Sequence, residues 1–118
     1  MNNNDAGVAW HKVIDGEELT KREVDIMSDS LYANLMLLEE TYNKYQEGYI
    51  DESFLDARVA LIESKILWSP QLREVYERMK SVRIYSKPFL AWLETRLRAS
   101  EWYESGHPST RIGQPQKR

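Results

Sequence analysis

The chain has no cysteine, and this absence removes several kinds of chemistry at once. Disulfides, thiolate metal sites and cysteine nucleophiles are all excluded. Histidine is nearly absent too, since only His11 and His107 occur and they lie far apart in the sequence. A helical di-metal centre combines Glu ligands with Glu-x-x-His motifs on two facing helices, and here the motif occurs only once, from Glu104 to His107. The sequence therefore predicts no metal site and no cofactor.

Glycine is scarce and long apolar runs are missing. The five glycines form no G-x-G or G-K-S/T motif, which argues against a phosphate-binding loop. The longest stretch without a charge is residues 30–38, whereas a membrane-spanning helix needs about 20 mostly apolar residues. The N-terminus lacks the basic start and apolar stretch of a secretory signal. We expect no membrane insertion by this chain and, most simply, a cytoplasmic location.

The charges are unevenly distributed along an otherwise ordinary composition. The 118 residues are 42% apolar and 30% charged, with a net charge of -3. Residues 1–69 carry 6 basic and 14 acidic side chains, and residues 70–118 carry 10 basic and 5 acidic ones. The favoured interpretation is that the two halves attract each other within one fold. The alternative is that the basic half faces an acidic partner.

Helical periodicity dominates the first half of the chain. Thr20 to Glu23 has the form of a capping box, in which each residue's side chain binds the other's backbone N–H. The apolar residues that follow recur at spacings of three and four and fall within about 80° of one another on a helix. A long helix is therefore predicted to end at Gly48, a suitable left-handed cap. Its predicted core stripe consists of Val24, Met27, Leu31, Leu35, Leu38, Tyr42 and Tyr45.

Further start and stop signals predict the remaining helices. A short helix is expected over about residues 7–14, and Asp51 is a suitable N-cap for the helix after Gly48. Ser69 before Pro70 and Ser86 before Pro88 each indicate a stop followed by a new start. The predicted fold class is all-α, a compact bundle of four main helices with a short N-terminal helix and a disordered C-terminal tail. The domain is expected to cover residues 1–104, with a flexible basic tail over 105–118.

This layout resembles a family of uncharacterised bacterial all-helical domains that often follow an N-terminal transmembrane helix. No counterpart of that helix is present in this sequence, so the resemblance implies either a soluble branch or the soluble part of an anchored protein. It implies a fold and no known chemistry. The matching residues are Asn34, Glu39, Tyr42, Tyr45, Gln46, Gly48, Asp51, Phe54, Ser69, Pro70, Tyr85, Ser86 and Phe89.

The outer face of the long helix carries apolar residues where a surface helix would be polar. Ile26, Ala33 and Leu37 lie opposite the core stripe, with Met36 nearby. The favoured interpretation is that the helix is sandwiched between two layers of the fold. The alternative is that this face is offered to a protein partner, including a second copy of the chain.

A second candidate surface is basic. Arg73, Lys80, Arg83 and Lys87 lie on the helix that begins at Pro70 and just beyond it, and a basic helix with a basic tail can contact phosphates. Acidic residues interrupt this helix, so a solvated face of mixed charge is favoured over a nucleic-acid contact. The adjacent carboxylates Glu39 and Glu40 point about 100° apart on a helix, which favours structural pairing over acid–base catalysis.

These observations predict no enzyme. The expected function is a non-enzymatic helical interaction or regulatory module, of bacterial type, with self-association through the outer face of the long helix. A protein partner or a homodimer is therefore expected. The alternative is a nucleic-acid-associated protein that uses the basic helix and the C-terminal tail.

Overall fold

The computed structural model describes residues 3–82 and 84–108, and it confirms the predicted all-α class. Within these residues the chain forms six helices and no strand. No helix in these two ranges combines the length and the apolar character needed to cross a membrane. In chain order the helices are α1 (Asn3–Asp15), α2 (Lys21–Gln46), α3 (Glu52–Leu67), α4 (Pro70–Lys80), α5 (Lys87–Arg98) and α6 (Trp102–Ser105).

Helix α2 begins and ends on the predicted signals. The Thr20 hydroxyl accepts from the Glu23 backbone N–H at 3.2 Å, and the Glu23 carboxylate accepts from the Thr20 N–H at 2.8 Å. At the other end Gly48 has φ +84°, a conformation that glycine adopts without steric cost. The Tyr49 N–H then bonds the Lys44 carbonyl at 2.9 Å, as in a Schellman cap. The turn that follows reverses the chain into α3.

The prediction for Asp51 was right about position and wrong about the side chain. Asp51 has the extended backbone of an N-cap before α3, but its carboxylate makes no capping hydrogen bond. By contrast, the Ser69 hydroxyl accepts from the Leu72 N–H and the Ser86 hydroxyl accepts from the Phe89 N–H. Both Ser–Pro signals therefore start helices as predicted.

The difference between Thr20 and Asp51 gives a matched test of capping. We expect Thr20→Ala to lower the free energy of unfolding by about 1 kcal/mol, because it removes a hydrogen-bonded cap. Asp51→Ala should cost clearly less, since no side-chain bond is lost. Urea denaturation followed by circular dichroism measures both values. Equal losses for the two variants would contradict this assignment.

Two helix boundaries differ from the sequence prediction. The N-terminal helix spans 13 residues and is longer than expected, because Arg22 pairs with Asp5 at 2.8 Å and ties its first turn to α2. The last predicted helix is divided, since α5 ends at Arg98 and α6 begins at Trp102. There the Ser100 hydroxyl accepts from the Trp102 N–H at 3.2 Å, a local bond that competes with the helical pattern.

The core consists of two adjoining clusters of buried side chains. The larger one lies among α2, α3, α4 and α5, and the smaller one joins α1 to α2 and α4. All buried members of the predicted α2 stripe fall in these clusters. The larger cluster contains Leu31, Leu35, Leu38, Leu55, Val59, Ile62, Ile66, Leu67, Val75, Tyr76, Tyr85, Phe89, Leu93 and Leu97. The smaller cluster contains Ala9, Val13, Leu19, Met27 and Leu72.

The chain beyond α6 lies against the domain as far as it is described. The His107 ring meets the Trp68 ring edge-on with centroids 5.2 Å apart, and Trp68 meets Trp102 at the same distance. His107 also hydrogen-bonds the Ile14 carbonyl at the end of α1. The rest of the predicted tail, residues 109–118, lies outside the described residues.

Candidate interaction surface

The outer face of α2 is exposed, so the favoured sandwich interpretation was wrong. Met36 and Leu37 are each 51% exposed, and Ala33 is exposed as well. No other helix covers them, because α1 crosses α2 nearer its N-terminal end. Ile26 differs from the other three candidates: it is half-buried and lines a shallow depression with Val8 of α1. Three of the four candidate interface residues therefore remain accessible.

A cleft runs between α2 and α3 beside this face. Its volume is about 260 Å³. Leu37 and Leu38 of α2 form one wall, and Leu61 and Ile62 of α3 form the other. Leu61 is 64% exposed at the rim. The exposed apolar surface thus continues from α2 across the cleft onto α3.

The contribution of α3 to this exposed surface was not predicted from the sequence. Phe54, Arg58, Leu61 and Lys65 recur at spacings of four, three and four, which places them on one face of the helix. The Arg58 guanidinium lies over the Phe54 ring, 5.1 Å from its centroid. The spacing of these four residues is visible in the sequence, but their face of α3 adjoins the buried face of the same helix. Whether it is covered depends on how α3 packs on α2, and in the structure Phe54 and Leu61 are exposed.

Lys65 occupies the end of the cleft nearest α1. Its Nζ donates to Asn34 Oδ1 at 2.5 Å and to Ser30 Oγ at 3.2 Å, and lies 5.6 Å from the centroid of the Trp10 ring. No carboxylate of residues 3–82 and 84–108 forms an ion pair with Lys65 or with Arg58. Burial lowers the pKa of Lys65, because the ammonium loses solvation without gaining a counter-charge. This end of the cleft therefore favours an anion.

Acidic side chains lie within the exposed face of α2. Asp29 and Glu40 are both exposed, and on a helix they fall between Leu37 and Met36. Glu40 makes an exposed ion pair with Lys44 at 3.5 Å, a kind of pair that contributes little stability. The surface thus mixes apolar and acidic side chains on α2 with the cations Arg58 and Lys65 in the cleft beside α3.

Two of the four candidate basic residues have partners within the fold. The Arg73 guanidinium donates to the Tyr103 carbonyl at 2.6 Å and lies 4.2 Å from the centroid of the Tyr103 ring. Lys80 is held between Glu77 at 2.8 Å and Glu94 at 3.1 Å. Lys87 is exposed, and Arg83 lies outside the described residues. Two of the four candidate cations are therefore engaged within the fold.

The Lys80 contacts are structural in character. Burial disfavours the Lys80 ammonium, but its hydrogen bonds to Glu77 and Glu94 outweigh this effect and raise its pKa. Burial likewise disfavours the Glu94 carboxylate, while hydrogen bonds from Lys80 and Tyr76 lower its pKa. The network joins α4 to α5.

Glu39 makes a structural contact between α2 and the start of α5. Its Oε2 accepts from the Ser86 backbone N–H at 2.6 Å, so it bonds the residue that caps α5. Among the described residues no group of three or more His, Asp or Glu side chains is arranged to hold a metal ion.

Comparison of the chain with family models, with curated proteins and with solved structures gave no match. Function is therefore argued from the surface itself. Its distinguishing property is the combination of exposed apolar residues on two adjacent helices with acidic side chains on α2 and the cations Arg58 and Lys65 in the cleft between them.

Proposed function

We propose that this protein is a non-enzymatic helical interaction module that self-associates through the exposed surface of α2 and α3. The observation that carries the proposal is the exposure of Leu37 and Leu61 on the two sides of one cleft, with Met36 also exposed on α2. Adjoining exposed apolar residues rimmed by polar ones mark interaction sites in soluble proteins. The predicted interface on α2 is thereby extended to include α3.

The charges support a second copy as the partner. Glu40 on α2 of one copy would meet Arg58 on α3 of the other, because a two-fold interface brings the same surface of both subunits together. If the two-fold axis runs parallel to α2 and α3, α2 of each copy lies against α3 of the other, and every residue keeps its position along the axis. Leu37, Arg58 and Leu61 line one cleft and so lie at similar positions along the axis. Leu37 of one copy then faces Leu61 of the other, and Glu40 faces Arg58.

The proposed location follows from the resemblance to bacterial helical domains. The module would act in the cytoplasm or as the water-exposed part of a membrane-anchored protein. The resemblance supports this setting. Fractionation of cells that produce the chain with its own N-terminus distinguishes the two.

A charge exchange tests the proposed dimer. Wild-type protein should have twice the monomer mass by size-exclusion chromatography with light scattering. Glu40→Arg and Arg58→Glu should each raise the dissociation constant by about tenfold, because each replaces an attraction across the interface with repulsion. The double variant should restore it to within about threefold, since the pair is re-formed with exchanged signs. Leu37→Glu should abolish the dimer.

Glu74→Arg is the matched control for this experiment. Glu74 is exposed on α4 and makes an i,i+4 pair with Arg78 at 3.3 Å, so the variant has the same change in charge and loses an equivalent pair. Its mass should equal that of the wild type. A monomeric wild type, or a double variant no better than the single ones, would refute the proposed interface.

A further inference from the structure

The cleft between α2 and α3 combines apolar walls with two cations, Arg58 and Lys65. Its walls are Leu37, Leu38, Leu61 and Ile62, and Lys65 closes the end beneath Trp10. Sites for small molecules have this composition, namely apolar walls with a few polar groups that fix orientation. The cleft is open on its solvent side, so a ligand can enter without a movement of the helices.

Two of the three N–H donors of the Lys65 ammonium are bonded to Asn34 and Ser30. Both acceptors are neutral, and so is the Trp10 ring, whose centroid lies 5.6 Å from Nζ. Within residues 3–82 and 84–108, therefore, no carboxylate supplies a counter-charge to Lys65. A carboxylate in the cleft would accept the third N–H and supply the missing counter-charge, and charge-assisted bonds of this kind are the strong ones.

We propose that the cleft binds a small apolar carboxylate, with the carboxylate at Lys65 and the hydrocarbon body between Leu37 and Leu61. The volume limits the size of the ligand. At about 30 Å³ for each water-sized group, the 260 Å³ of the cleft hold roughly eight or nine such groups. A short aliphatic acid of about six carbon atoms meets this limit, whereas the body of a long-chain acid would extend into solvent.

Binding of such an acid would also regulate self-association, and this part of the inference rests on the proposed dimer. In that dimer the surface of α3 receives Leu37 and Glu40 from the second copy, which together present an apolar body and a carboxylate. A free carboxylate of similar character occupies the same wall at Leu61. It therefore competes with the second copy and shifts the equilibrium towards the monomer.

The probe for this site is hexanoate, titrated into ¹⁵N-labelled protein and followed by two-dimensional NMR. The expected dissociation constant is on the order of 1 mM, given the affinity that eight non-hydrogen atoms can supply. The changes in chemical shift on adding hexanoate should be largest for the Trp10 indole N–H and for the backbone amides around Leu37 and Leu61. Hexanol, which lacks the charge, should bind at least tenfold more weakly.

Three variants distinguish hexanoate binding in the cleft from a general attraction of anions to lysine side chains. Lys65→Met removes the cation and should weaken hexanoate binding at least tenfold while leaving hexanol binding unchanged. Lys65→Gln should do the same, and it keeps a donor for Asn34 and Ser30 in case the Met variant folds poorly. Lys87→Met removes an exposed lysine elsewhere and should have no effect. Equal hexanoate binding by the wild type and Lys65→Gln would overturn the proposal, as would shifts that map away from the cleft.

The titration is repeated with Glu40→Arg, in which the cleft walls are intact and the proposed dimer is weakened. Binding should be at least as tight there as in the wild type, because no second copy competes. In the wild type, hexanoate should lower the mass towards that of the monomer. A wild type that is monomeric without ligand would refute the proposed dimer, and the NMR shifts would still decide whether the cleft binds the acid. A dimer whose mass does not change at saturating hexanoate would refute the competition.

Discussion

Phe89→Ala is expected to lower the free energy of unfolding by about 3–5 kcal/mol, the range for removing a fully buried aromatic side chain. Phe89 has no exposed surface. Its ring centroid lies 5.7 Å from that of Tyr42, and 6.1 Å from those of Tyr85 and Trp92. These three rings belong to α2, to the segment before α5 and to α5 itself. The cavity left by alanine would therefore weaken the packing of α5 on α2.

Urea denaturation followed by circular dichroism measures this loss. Phe54→Ala is the matched control, because it makes the same change at a side chain that is 48% exposed. It should cost less than about 1 kcal/mol at a protein concentration below that of self-association. A loss at Phe89 no larger than that at Phe54 would show that the ring cluster around Phe89 is not part of the core.

Leu72→Ala should have the second largest effect, a loss of about 2–5 kcal/mol. Leu72 has no exposed surface and is the residue of α4 in the smaller cluster, where it packs with Ala9, Val13, Leu19 and Met27. Besides lowering global stability, the variant should loosen α1, since this cluster contains the buried apolar residues of that helix. Amide hydrogen exchange within α1 should accelerate more than exchange within α5.

Leu72→Met provides the control for that experiment. The change keeps the volume of the side chain almost constant, and substitutions of this kind usually cost less than about 1.5 kcal/mol. Exchange in α1 should then stay near the wild-type rate. If Leu72→Ala accelerates exchange in all helices equally, the two clusters unfold as one unit and α1 is not held separately.

Local signals explain why much of this fold is predictable from sequence. The capping box at Thr20, the serine caps at Ser69 and Ser86 and the glycine at Gly48 each depend on residues within a few positions of one another. These residues therefore start or end a helix through local hydrogen bonds, which do not depend on how the helices pack. The Asp51 side chain is an instructive exception. Residue type favours an N-cap there, but the orientation of one carboxylate decides whether the bond forms.

The candidate surface was only partly predictable, because it depends on which helix packs where. The apolar pattern at Ala33 and Leu37 is equally consistent with a covered and an open face. The decision depends on α1, which reaches Ile26 and leaves Leu37 exposed. The environment of Lys65 is assembled from three helices, with Trp10 from α1 and Asn34 from α2.

The partners of two basic candidates depend on the packing of helices in the same way. Lys80 meets Glu94 across 14 positions of sequence, and Arg73 meets the Tyr103 carbonyl across 30. Nothing in the local sequence around either cation indicates these two contacts.

The short turn at Gly48 has a consequence for the order in which the chain folds. It joins α2 to α3 through a few residues, so closing this hairpin costs little chain entropy. Docking of α4 on the connection between α1 and α2 is different, because the two hydrogen bonds between Leu19 and Gln71 join residues 52 positions apart. Contacts between near neighbours form earlier than contacts across long loops. The α2–α3 hairpin is thus expected to form early, and the apolar face around Leu37 is presented to other nascent chains before α4 has docked on that connection.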